Sequence, residues 1–231
     1  MSWTGTATHE TVNVTLVALE LLTSAEGAPF QELFAIYASS IATREQKPEA
    51  WLRAMVDAPE YRVWISRDDA GHVLGFSILF VPPGSGFALL EYMAVVSERR
   101  GHGFGAKLFQ KTVERALTPE GEALPVLLEV DSDSEASSDR ELRTRRLQFY
   151  RRLGCSKLAG LRYLMPLQGA GPAPEMVLLV HRAGAAHGAP VARGDLERWL
   201  KTIYRDVYHV PPDDPRIATM LAALPDPVGV E

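Results

Sequence analysis

The segment that most restricts the fold is Arg100-Gly101-His102-Gly103-Phe104-Gly105, which stands between an apolar run at 88–96 and a helical pattern at 106–117. Three glycines in six residues let the backbone turn sharply and come close to whatever lies against it. The helix that follows begins with N–H groups that have no partner within the helix, and with the positive end of its dipole. A strand, a glycine turn and a helix in that order make an anion site, so the spacing predicts a phosphate-bearing ligand at residues 100–105.

Two ligand classes use this chemistry. Read as Gly101-x-Gly103-x-x-Ala106, the turn fits a dinucleotide fingerprint, with Glu129 or Asp131 as the later acid. The context argues against it. A dinucleotide-binding strand runs almost directly into its first glycine, whereas Ser97-Glu98-Arg99-Arg100 intervene here. The strands upstream are joined by Asp68-Asp69-Ala70-Gly71, a turn that suits an antiparallel hairpin and leaves no room for a crossover helix.

Read as Arg100-x-x-Gly103-x-Gly105 after Met93-Ala94-Val95, the same turn resembles the acyl-CoA motif of the GNAT superfamily of N-acyltransferases. A second block agrees in order and type. Leu128-Glu129-Val130, then Leu147-Gln148-Phe149-Tyr150-Arg151-Arg152-Leu153-Gly154-Cys155, resemble that superfamily's later strand and its helix ending in a glycine. The resemblance implies an α/β (α+β) fold, a mixed and mainly antiparallel sheet flanked by helices. It also implies acetyl transfer from acetyl-CoA to an amine acceptor, with no metal. On that reading the backbone of Arg100, Gly101, His102, Gly103, Phe104 and Gly105 would hold the pyrophosphate, and Met93, Ala94 and Val95 would pair with the pantetheine arm. Tyr150 falls at the position of the acid that protonates the departing thiolate. Glu129 falls at that of the base, and Glu91 on the neighbouring strand is its rival. A strand glutamate flanked by Leu128 and Val130 would have its pKa raised by burial. A domain of this kind that binds acyl-CoA as a sensor, without turnover, is the alternative of a different class.

The chain departs from the family pattern in one block. Residues 131–139, Asp-Ser-Asp-Ser-Glu-Ala-Ser-Ser-Asp, lengthen the path from Glu129 to Tyr150, and Arg143 and Arg146 replace the usual asparagine and alanine. Asp131, Asp133, Glu135 and Asp139 would then bring negative charge to the cleft mouth, near Arg44, Glu45 and the loop 169–174, where the family resemblance puts acceptor entry.

The rest of the chain reads as an ordinary enzyme. With 231 residues, 46% of them hydrophobic, it can bury a real core. A net charge of −5 argues against a nucleic-acid partner. A single cysteine, Cys155, rules out an internal disulfide framework and reads as a small buried hydrophobe. The apolar stretch at 14–22 is short and interrupted by Glu20, so the expectation is no signal peptide, no membrane span and a cytoplasmic location. Alternation at Val12, Val14 and Leu16 predicts a first strand, and Pro29 and Pro48 mark the starts of two helices. Strands are expected at 61–66, 73–81, 125–130, 158–167 and 176–180, with a helix at 140–153. The domain expectation is a catalytic domain at 11–182, a linker at 183–194 and a helical extension at 195–231. In that extension Asp195 would cap a helix bearing Leu196, Trp199, Leu200, Ile203 and Val207, and Asp214-Pro215 would start another. Their apolar faces must pack on the catalytic domain or on a second copy of the chain.

Overall fold

The computed structural model describes residues 18–134, 139–166, 175–184 and 188–231. The alternation at Val12 to Leu16, Glu135, and the loop 169–174 lie outside them. One sheet of eight strands organises the chain: β1 (Glu20–Leu21), β2 (Tyr61–Arg67), β3 (Val73–Phe80), β4 (Ala88–Val95), β5 (Val126–Asp131), β6 (Cys155–Lys157), β7 (Tyr163–Leu164) and β8 (Glu175–His181). Its order is β1-β2-β3-β4-β5-β8-β6, with β7 also pairing β8. Every pairing is antiparallel except that of β4 with β5. This is the mixed, mainly antiparallel sheet implied by the family resemblance.

Helices cover both faces, and strand alternation decides which residues each face receives. On one face, Phe109 of α3 (Phe104–Val113) and Leu147 of α4 (Arg140–Arg152) pack on Leu79, Leu90, Leu128, Val130 and Leu179. On the other, Leu33 and Tyr37 of α1 (Ala28–Ser40) and Leu52 of α2 (Glu49–Asp57) pack on Val63, Ile65, Phe76 and Ile78. That second face continues under the C-terminal segment. Trp199 and Leu200 of α5 (Arg193–Thr202) and Ile217 and Met220 of α6 (Pro215–Leu221) share a cluster with Phe80, Phe87, Leu89, Leu127 and Leu178. Each such side chain contributes roughly 1.5–3 kcal/mol by leaving water, so the C-terminal helices are bound to the sheet by many such contributions. The chain end completes this attachment, because Lys157 and Glu231 exchange backbone hydrogen bonds of 2.7 and 2.9 Å and so cover the β6 edge.

Close approach of backbone to backbone sets α3. A Cβ on Gly75 would lie 2.9 Å from the Ala94 carbonyl oxygen and 3.2 Å from Leu108, so only glycine lets β3, β4 and α3 meet there. Buried Ser77 and Thr112 then join strand to helix through a 2.7 Å hydrogen bond.

Several boundaries differ from expectation, each for a local reason. Of the strand expected at 158–167, the described residues hold only β7, because Gly160 takes a left-handed φ of +73° and turns the chain between β6, which ends at Lys157, and β7. Helix α3 spans Phe104–Val113, starting earlier and ending sooner than the pattern 106–117. Asp195 is not the cap of α5. That helix starts at Arg193, inside the expected linker, with Ala192 as cap, because the completely buried Val191 already anchors the chain by exchanging 2.7 and 2.8 Å backbone hydrogen bonds with Val228. Asp214 caps α6 as expected, its carboxylate accepting from the Arg216 amide at 3.0 Å.

Candidate active site

Strand β4 carries the first half of the site. It pairs with β5 only through Ala88 and Leu89, after which the two parallel strands part and β4 from Leu90 onward has no β5 partner. Met93, Ala94 and Val95 therefore line an open wedge, with an edge to which an extended chain can add. At the top of β4, Val96 leads through a short 3-10 turn, Ser97–Arg99, to the glycine turn. Gly103 is the left-handed cap of α3, at φ +78°, and Lys107 makes the first helical hydrogen bond back to its carbonyl at 3.1 Å. The amides of Phe104, Gly105 and Ala106 precede that first bond and so have no helical acceptor. A Cβ built on Gly101 or Gly103 meets nothing within 4 Å. The turn thus offers open space above a row of donors at a helix N-terminus, a geometry suited to an anion. Arg100 braces it: its guanidinium donates to the Val95 carbonyl at 3.2 Å and to Ser40 Oγ at 2.8 Å. His102 turns its ring back onto the Arg100 carbonyl, 2.8 Å away, so its imidazole closes the turn.

The second half is a pair of carboxylates where β4 and β5 part. Glu129 shares a face with Leu127, under the C-terminal helices and α1–α2. Glu91 is the extra residue of a β-bulge, since Ile78 pairs with Tyr92 and Leu79 with Leu90. Alternation with Leu90 puts its side chain on that same face, and the bulge brings Tyr92 to the face as well. There Lys47 Nζ donates to Glu91 Oε1, and Tyr61 Oη donates to Oε2 at 3.2 Å. Both oxygens of Glu91 are therefore engaged, one by a cation. Lys47 is itself fixed, its ammonium 3.4 Å from the Val207 carbonyl and over the Trp51 ring, its amide donating to Tyr37 Oη at 2.6 Å.

Glu129 has only neutral partners. Tyr163 Oη donates to its Oε1, and Tyr208 Oη donates to its Oε2 at 2.5 Å. Burial pushes its carboxyl up to about 7; the two phenols pull it down, the Glu91 charge adds to the rise and Lys47 opposes it. Glu129 is partly buried, where its neighbours Leu128 and Val130 are buried. Burial, then the charge of Glu129, keeps both tyrosines protonated far above neutral pH, so they act as donors. Lys47, Tyr61, Tyr163 and Tyr208 had no signal of function in the sequence, because they reach the site from four separate elements.

Tyr150 lies on the other face. Its ring stands 5.5 Å from Phe109 and 5.1 Å from Phe149, and its hydroxyl has no hydrogen-bond partner among the described residues. Burial pushes it up to about 12. Phe149 in turn lies 3.9 Å from a Cβ built on Gly105, so the Tyr150 helix flanks the start of α3. Cys155 is buried, with its thiol pushed up to about 12 by burial, as suits a packing residue.

Among the described residues of the acidic insertion, each carboxylate has a partner, and two of the three are met by arginines. Asp131 takes Arg44 at 3.1 Å and Arg146 at 3.0 Å, Asp139 takes Arg143 at 3.0 Å, and Asp133 accepts from Thr144 at 2.9 Å while its carbonyl accepts from Arg140. The two arginines that replace the family's asparagine and alanine are among these counter-charges.

Among the described residues no group of three or more His, Cys, Asp or Glu could hold a metal ion, and no helix is long and apolar enough to cross a membrane. A profile of the acetyltransferase (GNAT) family matches residues 29–155. No curated protein matches. Among solved structures, a protein of Bacteroides thetaiotaomicron assigned to the GNAT family superposes with a TM-score of 0.65 at 21% identity, over 84% of this chain and 99% of that one. The spermidine/spermine N-acetyltransferase of Vibrio cholerae superposes with a TM-score of 0.50 at 13% identity, over 71% and 91%. A protein named as a phosphinothricin N-acetyltransferase does so with a TM-score of 0.52 at 18% identity, over 72% and 99%.

Proposed function

We propose, since the chain belongs to the acetyltransferase (GNAT) family, that it transfers the acetyl group of acetyl-CoA to a primary amine by direct attack, with Glu129 as general base and Tyr150 as general acid. The observation that carries this reading is the setting of Glu129: a carboxyl beside the wedge of β4, held only by two neutral hydroxyls, which burial raises toward neutral pH. A base with its pKa near the working pH combines an adequate ionised fraction with useful proton affinity. Glu91 is the poorer candidate, because its two oxygens are committed to Lys47 and Tyr61.

Acetyl-CoA supplies the activated acyl group; the amides of residues 101–106 would hold its diphosphate and the open edge at Met93, Ala94 and Val95 its pantetheine arm. In the transfer, the amine nitrogen bonds the acyl carbon as the carbon–sulfur bond breaks. The amine proton goes to Glu129, and the sulfur receives one from Tyr150, whose hydroxyl has no competing partner among the described residues. The high pKa of Tyr150 keeps it protonated but makes it a weak acid, so its share in the rate falls at the lower end of what proton transfer supplies.

The test is release of free thiol from acetyl-CoA with a panel of amines that includes spermidine and an amino acid, with the acetylated product identified by mass. Acetyl-CoA binding without thiol release from any amine would turn the reading toward a sensor.

A further inference from the structure

The C-terminal segment breaks its own helix just where it meets the carboxylates. Helix α5 is regular to Thr202, and residues Ile203–Val207 then widen to a π-turn, closed by the Tyr208 amide on the Ile203 carbonyl at 3.3 Å. Two residues on, His209 adopts a left-handed φ of +55°, outside glycine an uncommon conformation. Both features carry a local cost, and such costs persist where the surroundings over-determine them. The surroundings here do so from three sides. Tyr204 Oη donates to the Leu164 carbonyl, the Val207 carbonyl accepts from Lys47, and the His209 ring lies edge-on to Trp51 at 5.1 Å. The extra residue in the turn rotates everything after it about the helix axis. The side chain so aimed is Tyr208, and its hydroxyl meets Glu129 Oε2 at 2.5 Å.

Resting on the reading of Glu129 as the base, we infer that Tyr208 is a positioning residue for it, and that the π-turn and the left-handed His209 exist to hold its hydroxyl on that carboxylate. The C-terminal segment is then one wall of the acceptor cleft, which becomes complete only when residues 203–209 have docked. The titratable groups around Glu129 are Tyr163 from β7, Glu91 and Tyr92 from β4, Lys47 from the stretch before α2, Tyr204 from the π-turn, and Tyr208. Tyr208 and Tyr163 divide the two oxygens between them, so each orients one lone pair and leaves the other free. A hydrogen bond donated to the charged form also holds the carboxyl below the value that burial alone would give.

The test needs no knowledge of the acceptor. The full chain is labelled with ¹³Cδ-glutamate and titrated by NMR, the Glu129 resonance being the one absent from Glu129→Gln. The wild-type midpoint should lie near 7. In Tyr208→Phe it should rise by about one pH unit, the scale of one lost hydrogen bond to a carboxylate, which would leave roughly fivefold less ionised carboxyl at pH 7. Affinity for acetyl-CoA, which binds across the sheet, should stay unchanged. Replacing Tyr208 by 3-fluorotyrosine, a stronger donor of nearly the same shape, should move the midpoint down and covers the case in which Tyr208→Phe does not fold. A midpoint unmoved in both variants overturns the inference. Glu129→Gln with wild-type thiol release would instead overturn the base reading, and would leave the titration result to stand by itself.

Discussion

Replacing Glu129 by Gln removes the ionisable group while nearly keeping the shape, so it isolates proton transfer from packing. With the carboxyl at about 7, the wild type has half its bases ionised at that pH. Between pH 8 and pH 6 the ionised fraction falls about tenfold, and kcat/KM should fall with it. In Glu129→Gln that limb should vanish, and the rate near neutral pH should drop by roughly 100- to 10,000-fold, the usual contribution of a positioned base. Part of the loss should return above pH 9, as the amine sheds its own proton. The assay is thiol release from acetyl-CoA over a range of amine concentrations between pH 5.5 and 9.5, with acetyl-CoA affinity followed by calorimetry. The same substitution has a signed effect on stability. The folded carboxyl sits above its ordinary value of 4.5, so its contribution to stability is fully present below about 4.5 and is lost as pH rises through about 7. Relative to Glu129→Gln, the wild type should lose on the order of 3 kcal/mol between pH 4 and pH 8, read from urea unfolding at the two values. A Gln variant with wild-type kcat/KM at pH 7, or a wild type whose kcat/KM is flat from pH 6 to 8, would refute the reasoning.

Three further outcomes follow from the same geometry. Tyr150→Phe should lower kcat by about 100-fold with acetyl-CoA affinity unchanged; unchanged kcat where chemistry limits the rate removes Tyr150 from the mechanism. Gly103→Val projects a branched side chain into the open space over the α3 amides and imposes a left-handed φ at a cost of roughly 1–3 kcal/mol. Acetyl-CoA affinity should therefore fall at least about tenfold in protein shown by circular dichroism to be folded, and an unchanged isotherm would mean the donor site lies elsewhere. Trp199→Ala, which empties a buried site beside Phe87, should cost about 3–5 kcal/mol in chemical denaturation; a loss under 1 kcal/mol would mean that α5 is not held by this core.

What could be read from the sequence was whatever neighbours in sequence decide. The glycine turn, the hairpin at Asp68 to Gly71, the alternation that sets Glu129 apart from Leu128 and Val130, and the Asp214-Pro215 start are all encoded within a few residues. So the order of most elements along the chain and the glycine turn ahead of α3 were legible. The acceptor half was not, because its geometry depends on pairings across 34 to 79 residues, such as Tyr163 and Tyr208 with Glu129. Glu91 shows the limit well. Its presence on a strand was plain, but the bulge that puts both Glu91 and Tyr92 on one face arises from the register of β3 against β4, and no local pattern reports register.

Tyr208 was hidden for a different reason. Leu196, Trp199, Leu200, Ile203 and Val207 follow a helical period that makes Val207 the last inward residue and puts Tyr208 about 100° away from it. The π-turn breaks that period by one residue, so both Val207 and Tyr208 end up inside, Val207 in the core and Tyr208 on the carboxylate. A purely structural helix would have no need of such a break, since regular turns bury Ile203 and Val207 equally well. The acidic insertion makes the complementary point. Read as composition it was a patch of charge, whereas Asp131, Asp133 and Asp139 are each met by Arg or Thr side chains from α4 or from the turn before α2. Its carboxylates pin α4 to the end of β5, and that fixes where the Tyr150 helix starts.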